Sequence, residues 1–226
     1  MLLAFVFSSL WLLGQSPQLR LQTNRRFPTL IFSSVRWNAT PSYYSIAIDS
    51  SGTATYQSSP DGIEKAGVAY TTEFQVSDRT RRIAFNLARR LNYFGDGFGE
   101  SQSSPDKNNV HTLAYRYEGT RTQFTYTASA DPDVLELTSV FEELSRTFEY
   151  GRILRDLQVH NRKAIPAQLL EMQGKADRHA LRDLETLAPT LRGLASDTDL
   201  DPAVRKQAAV LLKLARDSNP GQATFQ

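Results

Sequence analysis

Two stretches alternate apolar and polar residues across a short turn, and they constrain the fold more than anything else in the chain. Tyr43 to Asp49 alternates around Tyr44, Ile46 and Ile48, Asp49-Ser50-Ser51-Gly52 carries turn chemistry, and Thr53 to Gln57 resumes the pattern. A period of two sends alternate side chains to opposite faces, so this segment is predicted to be a β-hairpin with one buried face. Val110 to Tyr117, the turn Glu118-Gly119-Thr120 and Arg121 to Thr127 repeat the arrangement, with Leu113, Tyr115 and Tyr117 on one face and Phe124 and Tyr126 on the returning strand. Thr29 to Trp37, rich in β-branched and aromatic residues, adds a strand. So does Val68 to Val76, which follows a Pro60-Asp61-Gly62 turn.

Helical signals fall between and after these strands. Ser77 suits an N-cap and Asp78 the first turn, where negative charge favours the amino end. Ile83, Leu87, Leu91 and Phe94 follow at helical spacing, which predicts a helix ending at Phe94 with a C-cap at Gly95. Gly95 to Asn109 reads as a loop. Asp131-Pro132 opens a long helix, with Asp as cap and Pro at the first helical position. Its apolar stripe is Leu137, Phe141, Leu144 and Phe148, edged by Val134 and Val140. The stripe then slips to Tyr150, Ile153, Leu154 and Leu157, and Gly151 is expected to mark a bend where the helix leaves the sheet. From Arg152 onward Leu, Ala, Arg and Asp dominate. That part predicts a helix to about Arg162, another from Pro166 to Gln173, a third from Ala176 to Leu194 interrupted at Pro189, and a last from Pro202 to Arg216. In the last helix Val204, Ala208, Leu211 or Leu212, and Ala215 share one side. Pairs of short helices suggest a repeat array, but no fixed period supports one.

The expected architecture is therefore α+β: an antiparallel sheet of about five or six strands, packed on one face by two helices and followed by an all-helical C-terminal extension. The expected segments are residues 29–150 for the α+β part, 151–218 for the extension and 219–226 for a flexible tail.

The N-terminus carries an address. Leu2 to Leu13 reads LLAFVFSSLWLL. It is shorter than the roughly 20 apolar residues a bilayer span needs, and it fits the apolar region of a signal peptide. Gly14 and Ser16 supply small residues for cleavage, giving a predicted signal peptide over 1–16 and a linker over 17–28. No Lys or Arg precedes the run and Pro17 would follow the cut, so a buried strand or helix of the fold is the alternative. No other segment is apolar enough to cross a membrane. The expected location is exported, periplasmic or extracellular.

The hairpin Ile46-Ala47-Ile48-Asp49-Ser50-Ser51-Gly52-Thr53-Ala54-Thr55-Tyr56 comes first, and a strand and a helix ending in Leu91-Asn92-Tyr93-Phe94 follow it. After them come His111-Thr112-Leu113-Ala114-Tyr115-Arg116-Tyr117 and a helix containing Phe141-Glu142-Glu143-Leu144. This order resembles a family of exported bacterial domains of unknown function, over roughly Leu30 to Tyr150. Such domains often carry a Cys-containing segment before the first hairpin, which this chain lacks. The resemblance implies export and the fold, and no activity.

Composition removes several chemistries. The chain has no cysteine, which excludes disulfides, thiol catalysis and cysteine-ligated metal clusters. Its 226 residues, 40% of them apolar and 22% charged, suit a globular protein with a real core. A net charge of +2, from 26 basic and 24 acidic residues, argues against a dedicated nucleic-acid binder. His111, His160 and His179 form no HExxH pair, and no serine sits in a GxSxG turn. Gly95-Asp96-Gly97-Phe98-Gly99-Glu100 follows a helix instead of a strand and lacks the phosphate-binding lysine, so it reads as a loop. Asp197-Thr198-Asp199-Leu200-Asp201 resembles the start of a calcium loop, but Pro202 and Ala208 stand where Gly and Glu are required. No catalytic, cofactor or metal residue is assigned.

One basic stripe remains. Arg79, Arg82, Arg89 and Arg90 can line one side of a helix, and Tyr115 and Tyr117 can mark an aromatic sheet face. These six are the candidate interaction surface. The leading expectation is an exported, non-catalytic protein that binds a protein or cell-envelope component, not nucleic acid, through its sheet face or helical tail. The alternative is a small-molecule or glycan-binding module, or a hydrolase whose site is assembled from distant polar residues. A deep, polar-lined concavity with carboxylates facing each other would favour that alternative.

Overall fold

A computed structural model describes residues 27–59, 70–95 and 109–217. The expected leader, residues 17–26 of the expected linker, the Pro60-Asp61-Gly62 turn, residues 96–108 of the glycine-rich loop and the C-terminal tail lie outside the described residues.

The fold is α+β. Six strands form one antiparallel sheet: β1 (Thr29–Arg36), β2 (Tyr43–Asp49), β3 (Thr53–Ser59), β4 (Tyr70–Gln75), β5 (Asn109–Tyr117) and β6 (Thr120–Tyr126). Their order is β4-β3-β2-β1-β5-β6, so the first strand in sequence is central, between β2 and β5. Both expected hairpins form. At the first turn the Asp49 carboxylate accepts from the Ser51 and Thr53 amides at 2.8 and 3.1 Å, and Gly52 takes φ +92°. At the second, Glu118 and Gly119 have φ of 46° and 85°, the two positive values of a type I′ hairpin turn.

Two helices, α1 (Asp78–Arg90) and α2 (Pro132–His160), cover one sheet face. Leu30, Phe32, Tyr44, Ile46, Ile48, Tyr56 and Leu113 bury against Leu87, Leu137, Phe141 and Leu144. The Phe32 and Phe141 rings stack with centroids 5.1 Å apart. The opposite face carries a polar row. Register aligns Thr71, Gln57, Ser45, Ser33, Thr112 and Thr125 in one row across all six strands.

Three further helices, α3 (Ile165–Asp177), α4 (Ala188–Ser196) and α5 (Pro202–Asp217), build a second core with the end of α2. Tyr150, Leu154, Leu169, Met172, Leu187, Leu191 and Leu211 lie in it. In α5 the buried side is Val204, Ala208, Leu211 and Ala215, which resolves the Leu211 or Leu212 alternative. Among the described residues, no helix is long and apolar enough to cross a membrane.

Two helix expectations need correction. The first helix ends at Arg90, and Asn92, Tyr93 and Phe94 follow with positive φ of 47°, 48° and 61°. Phe94 is buried, as its spacing implied, but a left-handed turn carries it inward. Helix α2 runs unbroken through Gly151 for 29 residues, and that glycine admits a close approach by Leu187. The expected helix over Ala176–Leu194 is also absent, since α3 extends to Asp177 and His179 and Asp183 take left-handed φ. Pro189 opens α4, where a missing N–H costs nothing.

The extension docks on the sheet part through buried polar contacts. The Asp183 carboxylate accepts from the Ser77 amide at 2.9 Å, the Ser77 hydroxyl at 2.8 Å and the Thr80 hydroxyl at 2.7 Å. Ser77 is also the N-cap of α1, as its sequence position predicts. Thr147 on α2 exchanges hydrogen bonds with the Arg182 carbonyl and amide.

Candidate ligand pocket

Helices that meet with apolar faces close on each other, and charged side chains at such a junction hold it open because they keep their hydration. On α2, Glu142, Ser145, Arg146, Glu149, Tyr150 and Ile153 share one helical face. On α3, Gln168, Glu171 and Lys175 face them, and Arg36 at the end of β1, Thr40 and Pro41 of the β1–β2 connection and Tyr44 of β2 close the third side. The result is a pocket of about 330 Å³, within the size range of small-molecule sites. It lies where the sheet part and the helical extension meet.

Its walls are held from within. Tyr56, behind the pocket, donates to Glu149 Oε1 at 2.5 Å, and Arg152 Nε donates to Glu149 Oε2 at 2.8 Å. Tyr150 donates to Glu171 Oε1 at 2.8 Å. Arg146 donates to the Ala180 carbonyl at 2.7 Å and lies 3.5 Å from Glu142 Oε2. Arg36 donates to the Pro41 carbonyl at 2.9 Å, with its guanidinium 5.1 Å from the centre of the Tyr44 ring. Burial pushes the Tyr44, Tyr56 and Tyr150 phenols up, and neighbouring carboxylates add to the shift. These phenols therefore stay protonated at neutral pH, and Tyr56 and Tyr150 act as hydrogen-bond donors, not bases.

None of the six residues singled out from sequence lines this pocket. Arg79, Arg82, Arg89 and Arg90 are exposed on α1. Arg90 forks onto Asp133 of α2 at 2.7 and 2.6 Å, and this pairing holds the Asp133 carboxyl below its ordinary range. Arg89 bonds Asn86 at 3.0 Å. Tyr115 faces the helix side, half-buried with its ring centroid 4.4 Å from that of Tyr93. Tyr117 is half-buried at the end of β5. The Asp197 loop ties the extension together: Asp197 pairs with Arg162 and accepts from the Asp199 amide at 3.0 Å. Among the described residues, no group of three His, Asp or Glu side chains is placed to hold a metal ion.

Sequence reasoning missed the pocket. The available signal was Glu142, Arg146 and Glu149, charged residues at helical spacing beside an apolar stripe. No family model matches the chain, and no curated protein matches it.

Proposed function

We propose that this is an exported binding protein that holds a small polar molecule between α2, α3 and the β1–β2 connection. The observation that carries the reading is the pocket itself: three acidic and three basic side chains line an open space where helix packing would otherwise place Leu. Support for binding over catalysis comes from the commitments of the acids. Glu149 and Glu171 already accept hydrogen bonds from tyrosine, and the tyrosines stay protonated. Support for export is the apolar segment Leu2–Leu13.

The test is ligand-observed NMR with neutral and charged fragments, repeated on Gln168→Trp, which fills the pocket from α3. Fragments that bind the native protein and are lost in the variant are expected. No binding, or binding indifferent to Gln168→Trp, sinks the reading.

A second reading keeps a macromolecular partner. Its support is Arg79 and Arg82, exposed on α1 with no ion pair among the described residues. An envelope component with an acidic surface would fit that stripe.

A further inference from the structure

We infer that the pocket takes a small ligand bearing one carboxylate, anchored by Arg36 and Lys175. This rests on the pocket being a ligand site. Most of the charged groups lining the pocket are already committed to partners. Each of the three carboxylates has a partner: Glu149 has Tyr56 and Arg152, Glu171 has Tyr150, and Glu142 has Arg146. Of the three cations, Arg146 alone has a carboxylate beside it. Arg36 spends one nitrogen on the Pro41 carbonyl, and Lys175 has no ion pair among the described residues. The unused capacity of the site is therefore donor capacity carrying positive charge, and the complementary group is an anion.

The charge balance sets how much anion the site accepts. The lining holds three groups of each sign, so it is close to neutral before a ligand enters. A carboxylate leaves one excess negative charge beside buried Glu149 and half-buried Glu142, whereas a phosphate monoester leaves nearly two. The planar guanidinium also offers paired N–H donors that match a carboxylate. Tyr44, Tyr150 and Ile153 provide apolar wall for the body of such a ligand.

Three probes with one ring and different charge test this: benzoate, benzamide and phenyl phosphate, titrated into the full chain by calorimetry or NMR. Benzoate is expected to bind about tenfold tighter than either of the others, the factor one charge-assisted hydrogen bond supplies. That preference is expected to vanish in Arg36→Gln and in Lys175→Gln, with circular dichroism confirming that both fold. Benzamide binding as tightly as benzoate, or phenyl phosphate binding tighter, overturns the carboxylate assignment. If that binding is lost in Gln168→Trp, the pocket reading survives. Failure of all three probes overturns the assignment too, and the fragment panel then decides the pocket reading separately. A benzoate preference that persists in both variants assigns the anchor elsewhere and overturns the proposal.

Discussion

A Cβ added to Gly151 would stand 2.5 Å from Leu187 Cδ2, closer than real side chains come. The turn Leu184–Leu187 thus presses directly on the backbone of α2, and Leu187 is buried there. Alanine at this position gains about 1 kcal/mol of helix propensity but overpacks a filled site at about 1–3 kcal/mol. Gly151→Ala is therefore expected to destabilise the native protein by about 1 kcal/mol and to stabilise a Leu187→Ala background, where the obstruction is gone. Urea denaturation of the four proteins reads the sign directly. Stabilisation in both backgrounds would show that this contact is not what requires glycine.

Asp183 is the other fastener. It sits buried at φ 51° and accepts three hydrogen bonds from Ser77 and Thr80 at the start of α1. Alanine would leave those donors without their acceptor and lacks the local hydrogen bonding that lets Asp tolerate left-handed backbone. Asp183→Ala is expected to cost about 2–3 kcal/mol, and Asp183→Asn about 1, since Asn suits the backbone and keeps one acceptor oxygen. Thermal unfolding measures both. Equal losses would place the effect in charge alone.

Local patterns made the sheet legible. Alternation placed Tyr44, Ile46, Ile48 and Leu113 on the buried face, and Ser77 and Asp131 mark the starts of α1 and α2. Long-range relations were not legible. Nothing around Gly151 announces that Leu187 lies against it, and left-handed φ at Asp183 depends on its bonds to Ser77 and Thr80. The pocket belongs to this second class, because it joins Arg36, Glu142 and Lys175 from three separate elements. Pro189 misled for a local reason: a proline reads equally as an interruption and as a first turn, and only the left-handed φ at His179 and Asp183 ahead of it decides.

The buried Tyr56 hydroxyl ties β3 to the pocket wall on α2 through its 2.5 Å bond to Glu149. Tyr56→Phe leaves that buried carboxylate with Arg152 as its partner, and a cost of about 1–3 kcal/mol is expected. Adding Glu149→Met removes the unsatisfied acceptor, so the double variant should recover part of the loss. Chemical denaturation of the single and double variants checks this. A double variant less stable than Tyr56→Phe alone would contradict it.

His111 gives stability a pH dependence whose sign follows from its burial. Its ring stacks on Phe32 with centroids 5.6 Å apart, lies 5.4 Å from that of Tyr126, and has no partner at Nδ1. Burial pushes its pKa below the ordinary 6.5, Arg36 pushes the same way, and Glu142 opposes them. The unfolded chain therefore binds a proton near pH 6.5 that the folded ring refuses. The contribution of His111 is complete above that pH and is lost as pH falls towards the lower folded value, at a limit of about 1.4 kcal/mol per unit of pKa difference. His111→Phe keeps a ring against Phe32 and removes the proton. Between pH 7.5 and 5, the native protein is expected to lose more stability than this variant, measured by urea denaturation at each pH. Exposed His160 and His179 are common to both proteins and cancel in the comparison. Identical slopes would take the acid sensitivity away from His111.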